Sequence, residues 1–172
     1  MTYHRHLPQA IKGKPVSKEE VAEGFEHIHP KARQIIEPGS DWKLWVLCDR
    51  DPILNWVDGR VTLLNDSAQP MLQYFTQGPC MAMEDAVALT YYIKTCDNNI
   101  ENTLQNYQEM RKIRTARAQI NSHLIGEYIY HPDDAQAVVK NYIMGNMCAK
   151  DWFYQLNWLY GSHGLEIVQS NS

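Results

Sequence analysis

Apolar residues recur along this chain first at helical intervals, then in short continuous runs, then at helical intervals again. Val21, Phe25 and Ile28 are spaced as one helical face behind Ser17-Lys18-Glu19-Glu20. A serine followed three residues later by glutamate forms a capping box, so a helix is predicted from there to about His27. Pro30 suits a first helical position and opens a second short helix to about Ile36, ended by Pro38-Gly39. Trp42 to Cys48 is aromatic and β-branched and reads as a strand. Val61 to Leu64 is a brief apolar run with Thr62, the pattern of a central strand buried on both faces. A helix is predicted from Pro79 to about Thr95. Asp97-Asn98-Asn99 breaks it and caps the next, which runs from Ile100 to about Tyr130 with Ile100, Leu104, Tyr107, Ile120 and Leu124 near one stripe. His131-Pro132-Asp133 interrupts, residues 133–150 form a further helix, and Asp151 to Tyr160 a last, aromatic one. Residues 8–16, with Pro8, Gly13 and Pro15, read as loop, and Met1 to His6 as a short strand remnant. The expected class is α+β, mostly helical, with few strands.

Composition narrows this picture. A chain of 172 residues favours one domain with a real core. A net charge of −4 gives no basic footprint for nucleic acid or for an anionic membrane surface. No apolar run is long enough to span a bilayer, and the N-terminus has no signal-peptide pattern, so the cytoplasm is expected. Cys48, Cys80, Cys96 and Cys148 form no CxxC and are expected to be buried free thiols, with Cys80 as the candidate for reactivity at a helix start. His4/His6 and His27/His29 are HxH pairs without a carboxylate or cysteine at ligand spacing, so no metal site is expected. No G-x-S-x-G suggests hydrolysis. Arg111, Lys112, Arg114 and Arg117 read as a solvated helix face, or alternatively as a surface that docks on a neighbour or an anionic ligand.

Chemistry concentrates between Gly59 and Ala86, in GRVTLLNDSAQPMLQYFTQGPCMAMEDA. An acidic residue, Asp66, ends the strand. A proline-containing loop follows, and Gly78 opens a helix. A carboxylate there can accept hydrogen bonds from sugar-like hydroxyls, while a helix N-terminus offers free N–H groups and partial positive charge. Strand followed by helix is common, and a capping role for Asp66 is the plainer alternative.

The full string resembles the second FAD-contact motif of single-component flavin aromatic hydroxylases, usually close to GRVxLLGDAAHPMxxxxxQGxxxAxEDA. It is most similar to the salicylate and 3-hydroxybenzoate 6-hydroxylase branch, through Pro70-Met71-Leu72-Gln73-Tyr74-Phe75 in particular. Cys48-Asp49-Arg50-Asp51-Pro52 with Trp56 resembles the segment preceding that motif. Tyr107, Arg111, Arg114 and Gln119 fall where the family has a Tyr/Arg/Arg/Gln helix, and Trp158-Leu159-Tyr160-Gly161 resembles its C-terminal WLYG. The resemblance spans roughly residues 17 to 165.

This resemblance implies FAD as cofactor, NADH or NADPH as co-substrate, and hydroxylation of a hydroxybenzoate such as 3-hydroxybenzoate or salicylate. It implies that Asp66 binds the ribityl hydroxyls, that Pro70 shapes the loop beside the flavin ring, and that Gly78 and Pro79 approach its pyrimidine edge. Gln73 and Tyr74 would face the aromatic acid. No GxGxxG occurs in the chain, so the βαβ unit that holds the ADP half of FAD in relatives is missing. The expectation is therefore a C-terminal fragment of that fold: one partial domain over 1–172, with 1–58 a remnant of substrate-side sheet and helices, 59–96 the FAD-contact strand-loop-helix, and 97–172 the C-terminal helices. Weak or absent FAD binding follows for the chain alone. The alternative is an inactive remnant or a helical interaction module that forms a homodimer or complements a separate N-terminal chain. Departures from the family string are Asn65 for glycine, Gln69 for histidine, Thr76 where alanine is commoner, and Pro79, which removes one N–H from the first helical turn.

Overall fold

The computed structural model describes residues 13–26, 28–162 and 165. It divides into two compact units, Met1–Leu47 and Cys48–Ser172. His4, His6 and His27, and the strand expected at Met1 to His6, lie outside the described residues.

In the first unit, β1 (Lys14–Pro15) is followed by α1 (Lys18–Gly24), α2 (Pro30–Ile36) and β2 (Lys43–Leu44). The predicted capping box is present: Ser17 Oγ accepts from Glu20 N at 3.1 Å, and Glu20 Oε2 accepts from Ser17 N at 2.8 Å. Pro30 occupies the start of α2, where its missing N–H costs nothing, and His29 Nδ1 accepts from Lys31 N at 3.2 Å. The strand expected over Trp42 to Cys48 contracts to Lys43–Leu44, antiparallel to β1 with Lys14 opposite Leu44. Its partner is only two residues long and one of them, Pro15, has no N–H to donate.

The second unit opens with a hairpin, β3 (Val57–Asp58) against β4 (Val61–Thr62), in which Val57 faces Thr62 across the ladder. Gly59 carries a φ of +55° in the intervening turn. The central strand expected over Val61 to Leu64 is thereby corrected. The paired portion is two residues of a two-stranded ribbon, and Val61 is 68% exposed. Leu63 and Leu64 do pack on the core, but as the lead-in to a turn.

Two 3-10 turns follow, Asn65–Ser67 and Gln73–Phe75. Then come α3 (Gly78–Thr95), α4 (Ile100–Ile125), a π-helical turn at Gly126–Tyr130, α5 (Asp134–Asn146) and α6 (Ala149–Tyr160). Helices α3 and α4 form an antiparallel hairpin. Asp97 and Asn98 take positive φ (44° and 62°), and Asn99 Oδ1 caps α4 by accepting from Asn102 N at 3.1 Å. The expected break near residue 150 falls at Met147–Cys148, where the Asp151 carboxylate accepts from Cys148 N at 2.8 Å.

Trp56, Ala68, Ala88, Tyr107 and Leu165 form one core cluster, and Met81, Ala118 and Leu159 a second. The hairpin is tied to α4 through Gln108, whose Oε1 accepts from Trp56 N at 2.5 Å and Val57 N at 3.0 Å. Helix α5 buries none of its residues, and α6 buries Leu159 alone. The four cysteines are free, as expected, but not buried: Cys48, Cys80 and Cys148 are exposed and Cys96 is intermediate.

Candidate cofactor-facing site

Asp66 lies in the turn that β4 feeds, and the turn packs against α3. Its geometry depends on the residue before it. Asn65 has a φ of +53°, the left-handed region that favours glycine and that asparagine tolerates better than most residues. The backbone here thus keeps the conformation a glycine would supply, although the sequence departs from glycine. Ser67 closes the turn: its Oγ accepts from Leu64 N at 2.9 Å and donates to Leu64 O at 2.6 Å. The Asp66 side chain is exposed.

Arg50 braces the same turn from upstream, its Nη2 donating to Ser67 O and, at 2.9 Å, to Ala68 O. The Gln119 side-chain amide donates to Arg50 O. Two parts of the resemblance that are far apart in sequence therefore meet here as one support.

The loop then reaches α3 through Gln69, whose Nε2 donates to Asp85 Oδ2 at 2.6 Å. Asp85 and Arg111 are both fully buried, with Arg111 Nε at 2.7 Å from Asp85 Oδ1 and Arg111 Nη1 at 2.7 Å from Glu84 Oε2. Arg114 grips Glu84 with two parallel bonds of 2.8 Å and donates to the carbonyls of Trp158 at 2.7 Å and Leu159 at 3.2 Å. Burial pushes the Asp85 carboxyl up, against the pull of Arg111, and pushes the Tyr107 phenol well above its ordinary value, with the Asp85 charge adding to it.

This corrects the solvated-face reading for Arg111 and Arg114, while Arg117 is exposed and Lys112 pairs at the surface with Glu109. Arg111 is interior and Arg114 nearly so, while Arg117 lies 4.1 Å over the Trp158 ring. Glu84 and Asp85, which alone would read as a solvated helix patch, are their counter-ions. The signal available in the sequence was the Tyr107/Arg111/Arg114/Gln119 spacing; what it could not show was which carboxylates those cations meet.

Gly78 and Pro79 form the first turn of α3. Gln77 precedes them without capping the helix through its side chain. An open hollow of about 300 Å³ at this end is lined by Gln77, Cys80, Glu84, Arg114, Leu159, Tyr160, Gly161 and Ser162. Asp66, Pro70, Gly78 and Pro79 do not line it. Gln73 and Tyr74 sit in the second 3-10 turn, Gln73 exposed and Tyr74 half-buried. That turn closes on Thr76 at a φ of 55°, an uncommon conformation for a β-branched residue and so a strained one.

His123 lies between two carboxylates, with Nδ1 3.0 Å from Asp49 and Nε2 3.0 Å from Glu127. The Asp49 hydrogen bond, more than the Glu127 charge, raises its pKa above the ordinary histidine value, against a smaller opposing effect of burial. A raised folded-state pKa means the stabilisation is complete below the unfolded value, about 6.5, and is lost as pH rises through the folded one. The side chain is 42% exposed, so screening holds the effect to about 0.2–1 kcal/mol. Urea unfolding is expected to show the wild-type advantage over His123→Gln at pH 6 and its disappearance by about pH 8.5; an advantage that grows with pH contradicts the bridge.

The turn with a left-handed residue before an acid, leading into a long helix locked by a buried Arg–Asp pair, is built by the stretch that resembles a flavin-contact motif of aromatic hydroxylases. Sequence comparison gives the branch: the chain is homologous to 3-hydroxybenzoate 6-hydroxylases. It is 45% identical over 154 residues, 90% of its length, to 3-hydroxybenzoate 6-hydroxylase 1 of Aquipseudomonas alcaligenes. It is 39% identical over 161 residues to the 3-hydroxybenzoate 6-hydroxylase of Polaromonas naphthalenivorans strain CJ2. The fold matches a salicylate hydroxylase substrate complex with a TM-score of 0.70 over 96% of this chain, at 23% identity. The chain spans about two-fifths of the length of these relatives, 39% and 40% of the two hydroxybenzoate enzymes and 39% of the salicylate enzyme. No family model matches it.

Proposed function

We propose that this chain forms the flavin- and substrate-facing C-terminal part of a monooxygenase that uses FAD, NADH or NADPH, and O2 to hydroxylate a hydroxybenzoate. The supporting observation is that a 45% identical match coincides with a left-handed backbone at Asn65, where the family string has glycine. A left-handed backbone, which glycine favours, is thus present with asparagine in that place, and this supports the reading.

In this reading Asp66 accepts hydrogen bonds from the ribityl chain and Pro70 fixes the loop beside the ring. The turn begun by Gly78 and Pro79 presents the positive end of an 18-residue helix to the pyrimidine edge. Gln73 and Tyr74 hold the aromatic acid. The flavin, when bound, supplies the oxygen chemistry; the residues of this chain bind, orient and exclude water. The division at residues 59–96 as the FAD-contact segment belongs to the same proposal.

A second reading, an interaction or complementation module, is favoured by one feature. Helix α5 has no buried residue, yet it displays Val138, Val139, Tyr142 and Ile143 to solvent. Helices of this length are marginal in water unless an apolar face is covered.

Flavin titration separates these readings. The purified chain is expected to emerge colourless from gel filtration, and added FAD to be quenched weakly but saturably. Asp66→Ala is expected to reduce that affinity about tenfold, the loss of a charged hydrogen-bond acceptor. Tight stoichiometric binding by the wild type would refute the weak-binding expectation. An unchanged affinity in Asp66→Ala would remove Asp66 from the site.

A further inference from the structure

Helix α3 is built inside out. The face it turns to α4 carries Met81, Asp85 and Ala88, all fully buried, with a charge among them. The opposite face carries Met83, Ala86, Val87, Thr90 and Ile93, all exposed and none charged. These five recur at helical intervals over about 15 Å of axis, and charge enters the stripe only at Lys94. Thr90 adds little polarity, since its Oγ1 donates back to Ala86 O at 2.7 Å. Met83 is 63%, Val87 45% and Ile93 54% exposed. A surface helix ordinarily turns its polar side to water, and one that is apolar on both sides is covered on both. The strand before the Asp66 turn is uncovered too, with Val61 of β4 exposed. Both elements that flank this turn therefore present unburied apolar side chains, and the turn itself packs against α3.

We infer that the outer face of α3 is a docking surface, and that its occupant is a polypeptide carrying the dinucleotide-binding βαβ unit of this class of flavoenzyme. The inference rests on the flavin reading of the Asp66 turn and names the partner that reading requires. The chain spans about two-fifths of its hydroxybenzoate relatives and contains no GxGxxG. FAD is one molecule, so whatever holds its ADP half lies within the cofactor's length of Asp66, and β4 and α3 are the elements that flank that residue. Helices and sheets of an α/β unit pack in layers through apolar faces. The uncharged stripe of α3 suits such a layer, and it offers a strongly charged partner no counter-charge before Lys94. A second copy of this chain would cover the same apolar side chains but would bring no ADP-binding unit.

The test is co-expression of the full chain, affinity-tagged, with the segment of 3-hydroxybenzoate 6-hydroxylase 1 of Aquipseudomonas alcaligenes that precedes the region this chain matches. The tagged chain is expected to retain the segment, and the pair to elute yellow from gel filtration. Val87→Asp, which puts a charge into the seat, is expected to cut retention about tenfold while the melting temperature of the chain by itself moves by no more than about 2 °C. Met83→Gln, which adds no charge, is expected to cut it about threefold. Val139→Asp on α5 is expected to match the wild type. No retention by the wild type, or equal retention by wild type and Val87→Asp, overturns the inference. A loss in Val139→Asp alone moves the seat to α5 and overturns it as well. Sedimentation of the chain by itself gives the last arm: a dimer that Val87→Asp dissolves makes the face a contact between copies and overturns the partner named here. Retention without colour supports the seat and shows that the flavin reading has failed. Asp66-dependent quenching of FAD without retention keeps the flavin reading and overturns the seat.

Discussion

Arg111→Met is expected to lower the unfolding free energy by about 3–5 kcal/mol, the usual loss when one member of a buried ion pair is removed. The reason is what it leaves behind. Asp85 is fully buried, and without the guanidinium 2.7 Å away its carboxylate is left with uncharged partners, the Gln69 amide and the Tyr107 phenol. Glu84 loses one of its two cationic partners at the same time. The pair as a whole is a different matter. Two charges taken out of water recover little more than their desolvation, so Asp85→Leu combined with Arg111→Met is expected to be more stable than Arg111→Met alone. Urea denaturation of the two single variants and the double variant gives the cycle directly. If Arg111→Met costs under about 1 kcal/mol, the carboxylate has found water or a proton, and the lock between α3 and α4 is not what holds the loop that carries Asp66 and Gln69.

Gln108→Leu is expected to cost about 2–4 kcal/mol. One side-chain oxygen serves both Trp56 N and Val57 N in a buried setting, and each orphaned N–H carries a penalty of about 1–3 kcal/mol. The hydrophobic gain from leucine does not offset two unmet donors. Gln108→Glu keeps an acceptor and should lose less. Amide exchange at residues 56 and 57 is the local readout: both should lose protection in Gln108→Leu, and the α3–α4 hairpin should not. Equal loss across the whole unit would mean that the hairpin is not separately secured.

Much of this architecture could be read from residues because the governing physics is local. The Ser17–Glu20 box, Pro30, and the Asp97-Asn98-Asn99 break each act within one or two turns of chain, and each appears where expected. Strand extent is not local. Val61 to Leu64 has the composition of an interior strand, but its length depends on partners that four residues cannot specify; two of them pair and two turn inward. Burial of charge was illegible for the same reason. The Tyr107/Arg111/Arg114/Gln119 spacing sets Arg111 apart from Lys112, but only the return of Glu84 and Asp85 across the helix hairpin shows that its charge is buried. Asn65 shows the reverse. The sequence shows a departure from the glycine of the family string, whereas the backbone there takes the left-handed conformation that glycine favours. The cysteines failed as an expectation because small apolar packing is an average tendency, and three of the four stand on outward helix or loop positions.

Arg114 holds α6 by the carbonyls of Trp158 and Leu159, at the end where the helix dipole is negative, while Leu159 is the one residue of that helix that the core encloses. The last helix is consequently moored like a boom at its heel. Helix α5 is tied at the other side, to the π turn, where Lys140 Nζ donates to Ile129 O at 3.3 Å, so the two outer helices hang between two anchors that both trace back to α4.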